Sequence, residues 1–179
     1  MNDCLSYVLD QIRSILEKVD QGVVEEIVDS IVAARTIFIY GAGRSGVVGK
    51  TFAVRLVQMG MDVHFVGDMT TPIVRKGDLT MIISNTGETM SAVQTANISR
   101  RLGSKVIGIT SDSLSKVSQA SNVIVELKPR IDEKKALIAP LGTLFEDSAI
   151  IFFDCLVPLI MRRLGETEAN MWQRHAIWV

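Results

Sequence analysis

Cysteine is scarce in this chain. Cys4 and Cys155 are the only two, too few and too far apart for a disulfide framework or a metal-ligand spacing. Histidine is equally rare, with His64 and His175 alone. No His/Cys/Asp/Glu grouping has the spacing of a metal site, so no metal is expected. No Ser/His/Asp triad signature appears either. Neither charge sign dominates: the formal net charge is −1, and no basic block suggests nucleic acid as a partner. No apolar run approaches the roughly 20 residues of a membrane span. Met1-Asn2-Asp3 is not the basic start of a secretory leader, and the cytoplasm is the expected compartment. Cys155 is expected as a small core residue of an apolar helix and Cys4 as partly exposed.

Hydrophobic residues make up 47% of the 179, which fits one globular domain with a real core. Leu5, Val8, Leu9, Ile12, Ile15, Leu16 and Val19 recur at helical spacing. With the helix that follows they make residues 1–34 a helical arm. Strand and helix then alternate. Thr36 to Tyr40, Asp62 to Val66, Leu79 to Ser84, Lys105 to Thr110 and Asn122 to Leu127 read as strands. Gly46 to Met59, Glu88 to about Leu102, Ser113 to Gln119 and Thr143 to Leu164 read as helices, with Gly60, Gly103 and Gly165 as stops. The predicted fold is α/β: a doubly wound, five-stranded parallel sheet flanked by helices, of the Rossmann or flavodoxin kind. The last helix lacks a clean polar face and is expected to be buried, with a subunit boundary as one place for it. Residues 166–179 carry both tryptophans. Packing of this tail on a neighbouring subunit and packing on its own chain both fit.

Two turns stand out. Ser84-Asn85-Thr86-Gly87-Glu88-Thr89 follows an apolar strand and precedes a helix. Unpaired N–H groups of a first helical turn form an anion site, and neutral hydroxyls add donors to it. An ordinary N-cap explains one hydroxyl; three and an amide point to a phosphate loop. Gly41-Ala42-Gly43-Arg44-Ser45-Gly46 matches the dinucleotide fingerprint G-x-G-x-x-G in its strand-to-helix context. A nicotinamide site also wants an acidic residue closing the second strand, and Asp68 follows a glycine in a loop. The same turn suits a sugar phosphate: Gly43 permits close approach, Ser45 donates a hydrogen bond and Arg44 supplies charge. A tight turn with a solvated Arg44 is the plainer alternative. Both turns lie at C-terminal strand ends, where doubly wound sheets bind ligands.

Glu146 opens the long helix among Leu144, Phe145 and the apolar run from Ala149 to Phe153. A partly dry setting would raise a carboxylate pKa and suit it to proton abstraction. Favourable placement near a helix N-terminus explains Glu146, and Asp147 beside it, without catalysis. His175 reads as a surface or interface residue and His64 as structural.

Four motifs together resemble the sugar isomerase (SIS) domain: Gly41 to Gly46, Ser84 to Thr89, Pro140-Leu141-Gly142-Thr143-Leu144-Phe145-Glu146, and Arg174-His175-Ala176. Within that family they are most similar to its 6-phospho-3-hexuloisomerase branch, over nearly the whole chain. The resemblance implies interconversion of D-arabino-hex-3-ulose 6-phosphate and D-fructose 6-phosphate, without cofactor, in a homotetramer with sites at subunit boundaries. It implies that Ser45, Ser84, Thr86 and Thr89 hold the phosphate, with help from Asn85, and that Arg44 anchors sugar or phosphate. Glu146 is then the base that works through an enediol. His175, reaching in from a neighbouring subunit, assists at oxygen. Asn85 and Thr86 stand where Gly and Ser are frequent in this branch, and the ending Ile177-Trp178-Val179 replaces a short acidic one. A link to a 3-hexulose-6-phosphate synthase in the ribulose monophosphate pathway also follows from the resemblance.

Other functions fit parts of the pattern. A non-catalytic sugar-phosphate sensor would keep the hydroxyl loop, but here Glu146 and His175 are both present. Another phosphosugar isomerase would keep the domain, but the Arg174-His175-Ala176 ending favours the hexulose enzyme.

Overall fold

The computed structural model describes residues 1–175. Its centre is a sheet of five strands, all paired in parallel: β1 (Ile37–Gly41), β2 (Val63–Phe65), β3 (Leu79–Ile83), β4 (Lys105–Thr110) and β5 (Val123–Glu126). The spatial order is β2-β1-β3-β4-β5. Eight helices surround it: α1 (Asn2–Leu16), α2 (Gln21–Ala33), α3 (Gly43–Gln58), α4 (Met90–Arg101), α5 (Lys116–Ala120), α6 (Lys135–Ile138), α7 (Thr143–Leu164) and α8 (Glu168–Gln173). The predicted α/β architecture is the observed one.

The central strands are apolar on both faces because both faces are covered. Leu79, Met81 and Ile83 of β3 join one core with Ile107 and Ile109, roofed by residues of α1, α2, α3 and α7. Ile82 and Val106 point the other way and meet Ala92 and Ala96 of α4 and Val117 and Ala120 of α5. The small alanines let α4 lie close to the sheet. On the larger face Phe153 stacks on Phe52 with ring centroids 4.4 Å apart, which ties α7 to α3.

Several boundaries move. Residues 43–45 join the first turn of α3 rather than a loop before it. Helix α4 starts at Met90, not Glu88, because Gly87 takes a φ of 64° and Glu88 turns to Lys116. Helix α7 is buried on one face only. Phe145, Ala149, Phe152, Phe153, Leu156 and Ile160 point inward at three- and four-residue steps, while Ile150 and Ile151 are each 36% exposed. Cys155 lies on that outer face and is exposed, which corrects the expectation of a core cysteine. Cys4 is exposed as well.

The described part of the tail packs on its own chain. Gly165 ends α7 in the left-handed conformation. Helix α8 then turns back, with Met171 against the core and Arg174 donating to Gln58 O at 3.1 Å and to Glu166 at 3.1 Å. Trp172 is 66% exposed. Ala176 and the Ile177-Trp178-Val179 ending lie outside the described residues. No helix among the described residues is long and apolar enough to cross a membrane.

Phe153 is fully enclosed, at 2% exposure, and its ring fills the space between α7 and α3. Phe153→Ala should therefore lower folding stability by about 3–5 kcal/mol. Urea unfolding measures this, and a cost under about 1 kcal/mol would mean that the α3–α7 contact collapses to refill the space.

Candidate functional site

The chain leaves β1 toward β2 on one side and takes up β3 on the other, so the topological switch point lies between β1 and β3. Their register sets Gly41 opposite Ile83. The two singled-out turns therefore emerge side by side, about 4.8 Å apart. Three helices begin there: α3, α4 and α7. None of the three has a side-chain cap, whereas α2, α5 and α8 are capped by Asp20, Ser115 and Thr167. Uncapped first turns leave N–H groups free for an anion. The hydroxyls of the second turn thus do not serve as caps for α4.

The glycines of the first turn divide their tasks. A Cβ on Gly46 would lie 2.4 Å from Gly41 O, so Gly41 and Gly46 let helix and strand backbones touch. Gly43 has a φ of 57° with open space in front of it, so it presents bare backbone outward. Ser45 is buried at 7%, and its hydroxyl has no hydrogen-bond partner among the described residues.

The second turn is held from behind. Asn85 O accepts from Ser111 N at 2.9 Å, Ser111 Oγ at 2.8 Å and Thr110 Oγ1 at 3.1 Å. Gly87 N donates to Ser84 O at 3.1 Å, and Val117 N donates to Gly87 O at 3.0 Å. A Cβ on Gly87 would lie 2.0 Å from Ser115 Oγ, so the turn sits flush on α5. In front, Ser84 Oγ donates to Thr89 Oγ1 at 3.3 Å, and Thr86 Oγ1 accepts from Glu88 N at 3.2 Å. The pinning residues Thr110, Ser111 and Ser115 escaped the sequence reading. Their signal was a further hydroxyl cluster at the end of the adjacent strand.

Glu146 enters from α7. Leu144 and Phe145 turn into the core, and Glu146 turns toward the site at 8% exposure. Its surroundings are not simply dry: Arg44 Nε donates to Glu146 Oε2 at 2.5 Å. The other end of that guanidinium stands 3.8 Å from Asp147 Oδ1. Arg44 is therefore not a free solvated side chain, although it remains 67% exposed. Gly142 closes the arrangement. A Cβ there would lie 3.0 Å from Glu146 Oε1 and 3.2 Å from Asn85 Nδ2, so the carboxylate and the amide face one point. The structure thus gathers Gly43, Arg44, Ser45, Ser84, Asn85, Thr86, Thr89 and Glu146.

His175 lies elsewhere. It stacks on Trp172 with centroids 5.1 Å apart and lines a 610 Å³ cavity with Arg55, Gln58 and Asp154. Gln58 ends α3 and Ser45 begins it, so His175 is roughly 20 Å from the turns of its own chain. His64 is on β2, beside Phe38 and 3.1 Å from Asp62, away from the site as expected. Among the described residues no group of three or more His, Cys, Asp or Glu is placed to hold a metal ion.

The model of the SIS domain family matches residues 30–154. The chain belongs to the SIS domain family. The match spans β1 through the first half of α7 and so includes both turns and Glu146. A relative from Methanocaldococcus jannaschii named 3-hexulose-6-phosphate isomerase is 37% identical, covering 84% of this chain and 81% of its own. One of the same name from Bacillus subtilis is 31% identical and covers 94% of each chain. The crystal structure of a Methanococcus jannaschii protein, described as inferring a 3-hexulose-6-phosphate isomerase function, superposes with a TM-score of 0.88. It is 31% identical and covers 98% of each chain. The resemblance to the hexuloisomerase branch is borne out.

In this SIS domain the arm holds the segment that leads to Gly142. Tyr7 Oη donates to Asp132 Oδ1 at 2.9 Å, and Gln11 Nε2 donates to Oδ2 at 3.3 Å. Asp132 also accepts from the N–H groups of Lys134 and Lys135. Lys135 Nζ donates to Leu141 O at 3.0 Å, and Leu141 has a φ of 55°. The Tyr7 hydrogen bond, with these N–H groups, holds the Asp132 carboxyl below its ordinary pKa. A depressed carboxylate stabilises the fold above the ordinary carboxylate range and loses that contribution as pH falls through its lowered value. Asp132→Asn should therefore be less stable than the parent near pH 7, with the gap narrowing as pH falls below the ordinary carboxylate range, toward about pH 3. Denaturant midpoints at the two pH values test this; a gap that stays constant would assign the clasp no role.

Proposed function

We propose that the protein is a 6-phospho-3-hexuloisomerase, interconverting D-arabino-hex-3-ulose 6-phosphate and D-fructose 6-phosphate. The observation that carries this reading is the Glu146 carboxylate, buried beside the uncapped helix starts of the two turns at the switch point. The names of the relatives support the sugar. The phosphate would lie against Gly43, Ser45, Ser84, Thr86 and Thr89. Binding energy from this remote group fixes the reacting carbons near the base.

In the direction from fructose 6-phosphate, Glu146 takes the proton from C3 of the open-chain ketose. The C3–H electron pair forms the C2=C3 bond, and the carbonyl pair moves to O2. O2 gains a proton and gives the enediol. Return of a proton to C2, with loss of the O3 proton, leaves the ketone at C3. The Asn85 amide lies on the same side of Gly142 as the carboxylate, which supports a role as donor to the developing oxyanion. His175 cannot assist from its own chain, so its part in ring opening or proton transfer at oxygen requires a neighbouring subunit. A homotetramer with sites at subunit boundaries provides one. The reaction would then stand beside a 3-hexulose-6-phosphate synthase in the ribulose monophosphate pathway.

The test is NMR in D₂O with fructose 6-phosphate and a chelator present. Deuterium should enter at C3 and a 3-ketose should appear. Binding without exchange would overturn the isomerase in favour of a sugar-phosphate sensor. Glu146→Gln should lower kcat by about 10²- to 10⁴-fold while fructose 6-phosphate binds at least as tightly as before. Equal loss of both would make Glu146 structural. Ser84→Ala should weaken binding about tenfold, the scale of one hydrogen bond to a charged group, and calorimetry reads this directly.

A further inference from the structure

The observed partner of Arg44 competes with its expected task. With Nε on the carboxylate, the Nε/Nη edge of the guanidinium cannot meet a phosphate as a two-bond fork, and the structure shows that edge on the carboxylate. The pair is short, at 2.5 Å from Nε to Oε2. It engages Oε2, one of the two oxygens of the base. Yet only one end of the pair is fixed: the Glu146 side chain is 11% exposed and that of Arg44 is 67% exposed. Arg44 sits between Gly43 and Ser45 in the first turn of α3, directly beside the free donors of the phosphate cluster. A phosphate dianion matches the guanidinium fork in two hydrogen bonds and carries more charge than a carboxylate. It is the better partner.

We propose that Arg44 restrains Glu146 in the free protein and that the phosphate group of the substrate draws it away, so that phosphate binding frees the base. This rests on the isomerase reading and assigns the phosphate a second role. It is a handle for binding and also the signal that makes the carboxylate available. Asp147, 3.8 Å from the same guanidinium, gives the displaced side chain a second acidic neighbour. Arg44 thereby becomes a specificity-determining residue. A sugar without phosphate would meet a restrained base even when it occupies the site.

The experiment separates the handle from the sugar. The wild-type protein is given fructose in D₂O, with and without phosphite dianion, and deuterium entry at C3 is followed. Phosphite should raise the rate at least about tenfold. In Arg44→Met the phosphite effect should shrink to less than about twofold. Arg44→Lys, which lacks the planar fork, should restore part of the phosphite effect. A second reading needs no turnover: the Arg44 Nε–H resonance, identified by its loss in Arg44→Lys, should move when phosphite is added. Phosphite that neither accelerates exchange nor moves the resonance, while fructose 6-phosphate still exchanges, would overturn the gate and leave the isomerase standing. Absence of exchange with fructose 6-phosphate itself would remove the isomerase reading on which the gate depends.

Discussion

The parallel pairing of β1 with β3 is the constraint on which the rest depends. Its register ends both strands at one level, with Gly41 beside Ile83. A slip of two residues would lower one turn by roughly 7 Å, and Ser45 and Ser84 could no longer meet a single ligand. Two features hold the register. The strand side chains divide cleanly between two cores, and a slip of one residue would send each set to the wrong face. The contact between Gly46 and Gly41 O then fixes the start of α3 on the end of β1.

Burial at this place forces pairing. A carboxylate at 8% exposure must be hydrogen-bonded or matched by an opposite charge. Glu146 is matched by Arg44, and the match ties α7 to α3 at their N-terminal ends as Phe153 on Phe52 ties them further along. The stacked rings are interchangeable with other apolar packing, but the ion pair is not. Taking away Arg44 alone would leave a buried charge without a partner. A ligand that takes Arg44 away must supply a replacement, and a sugar's hydroxyls can do so as donors to the carboxylate.

Much of this was legible in the sequence. Short apolar runs between glycine and hydroxyl turns gave the five strands, since a strand buried on both faces has little other composition open to it. Lys105 to Thr110 and Thr143 to Leu164 were read to the residue, and the two turns were singled out by their chemistry. What escaped depends on distance across the fold. Whether α7 hides Cys155 is decided by which face meets the sheet, and a helix apolar nearly all round does not announce that face. The Arg44–Glu146 pair joins residues 102 apart in the chain. The tail carried the His175 motif, but only the turn at Gly165 and the hold of Arg174 on Gln58 O reveal that His175 lies at the wrong end of α3 for its own site.

The composition of the cradle bears on the gate. Ser45, Ser84, Thr86, Thr89, Asn85 and the backbone of Gly43 are all neutral donors, so a phosphate bound there would meet one positive charge among the named site residues. Lys116 is committed to Glu88 and Lys135 to Leu141 O. A cradle with several cations would bind phosphate tightly without disturbing any ion pair, and affinity would then be independent of the state of the base. With a single cation, already shared with Glu146, affinity and activation would draw on the same side chain under the proposed gate. Under the proposed gate, part of the phosphate's binding energy would go into breaking the pair, weakening binding and speeding the reaction. That is the direction in which binding energy contributes to turnover rather than to saturation.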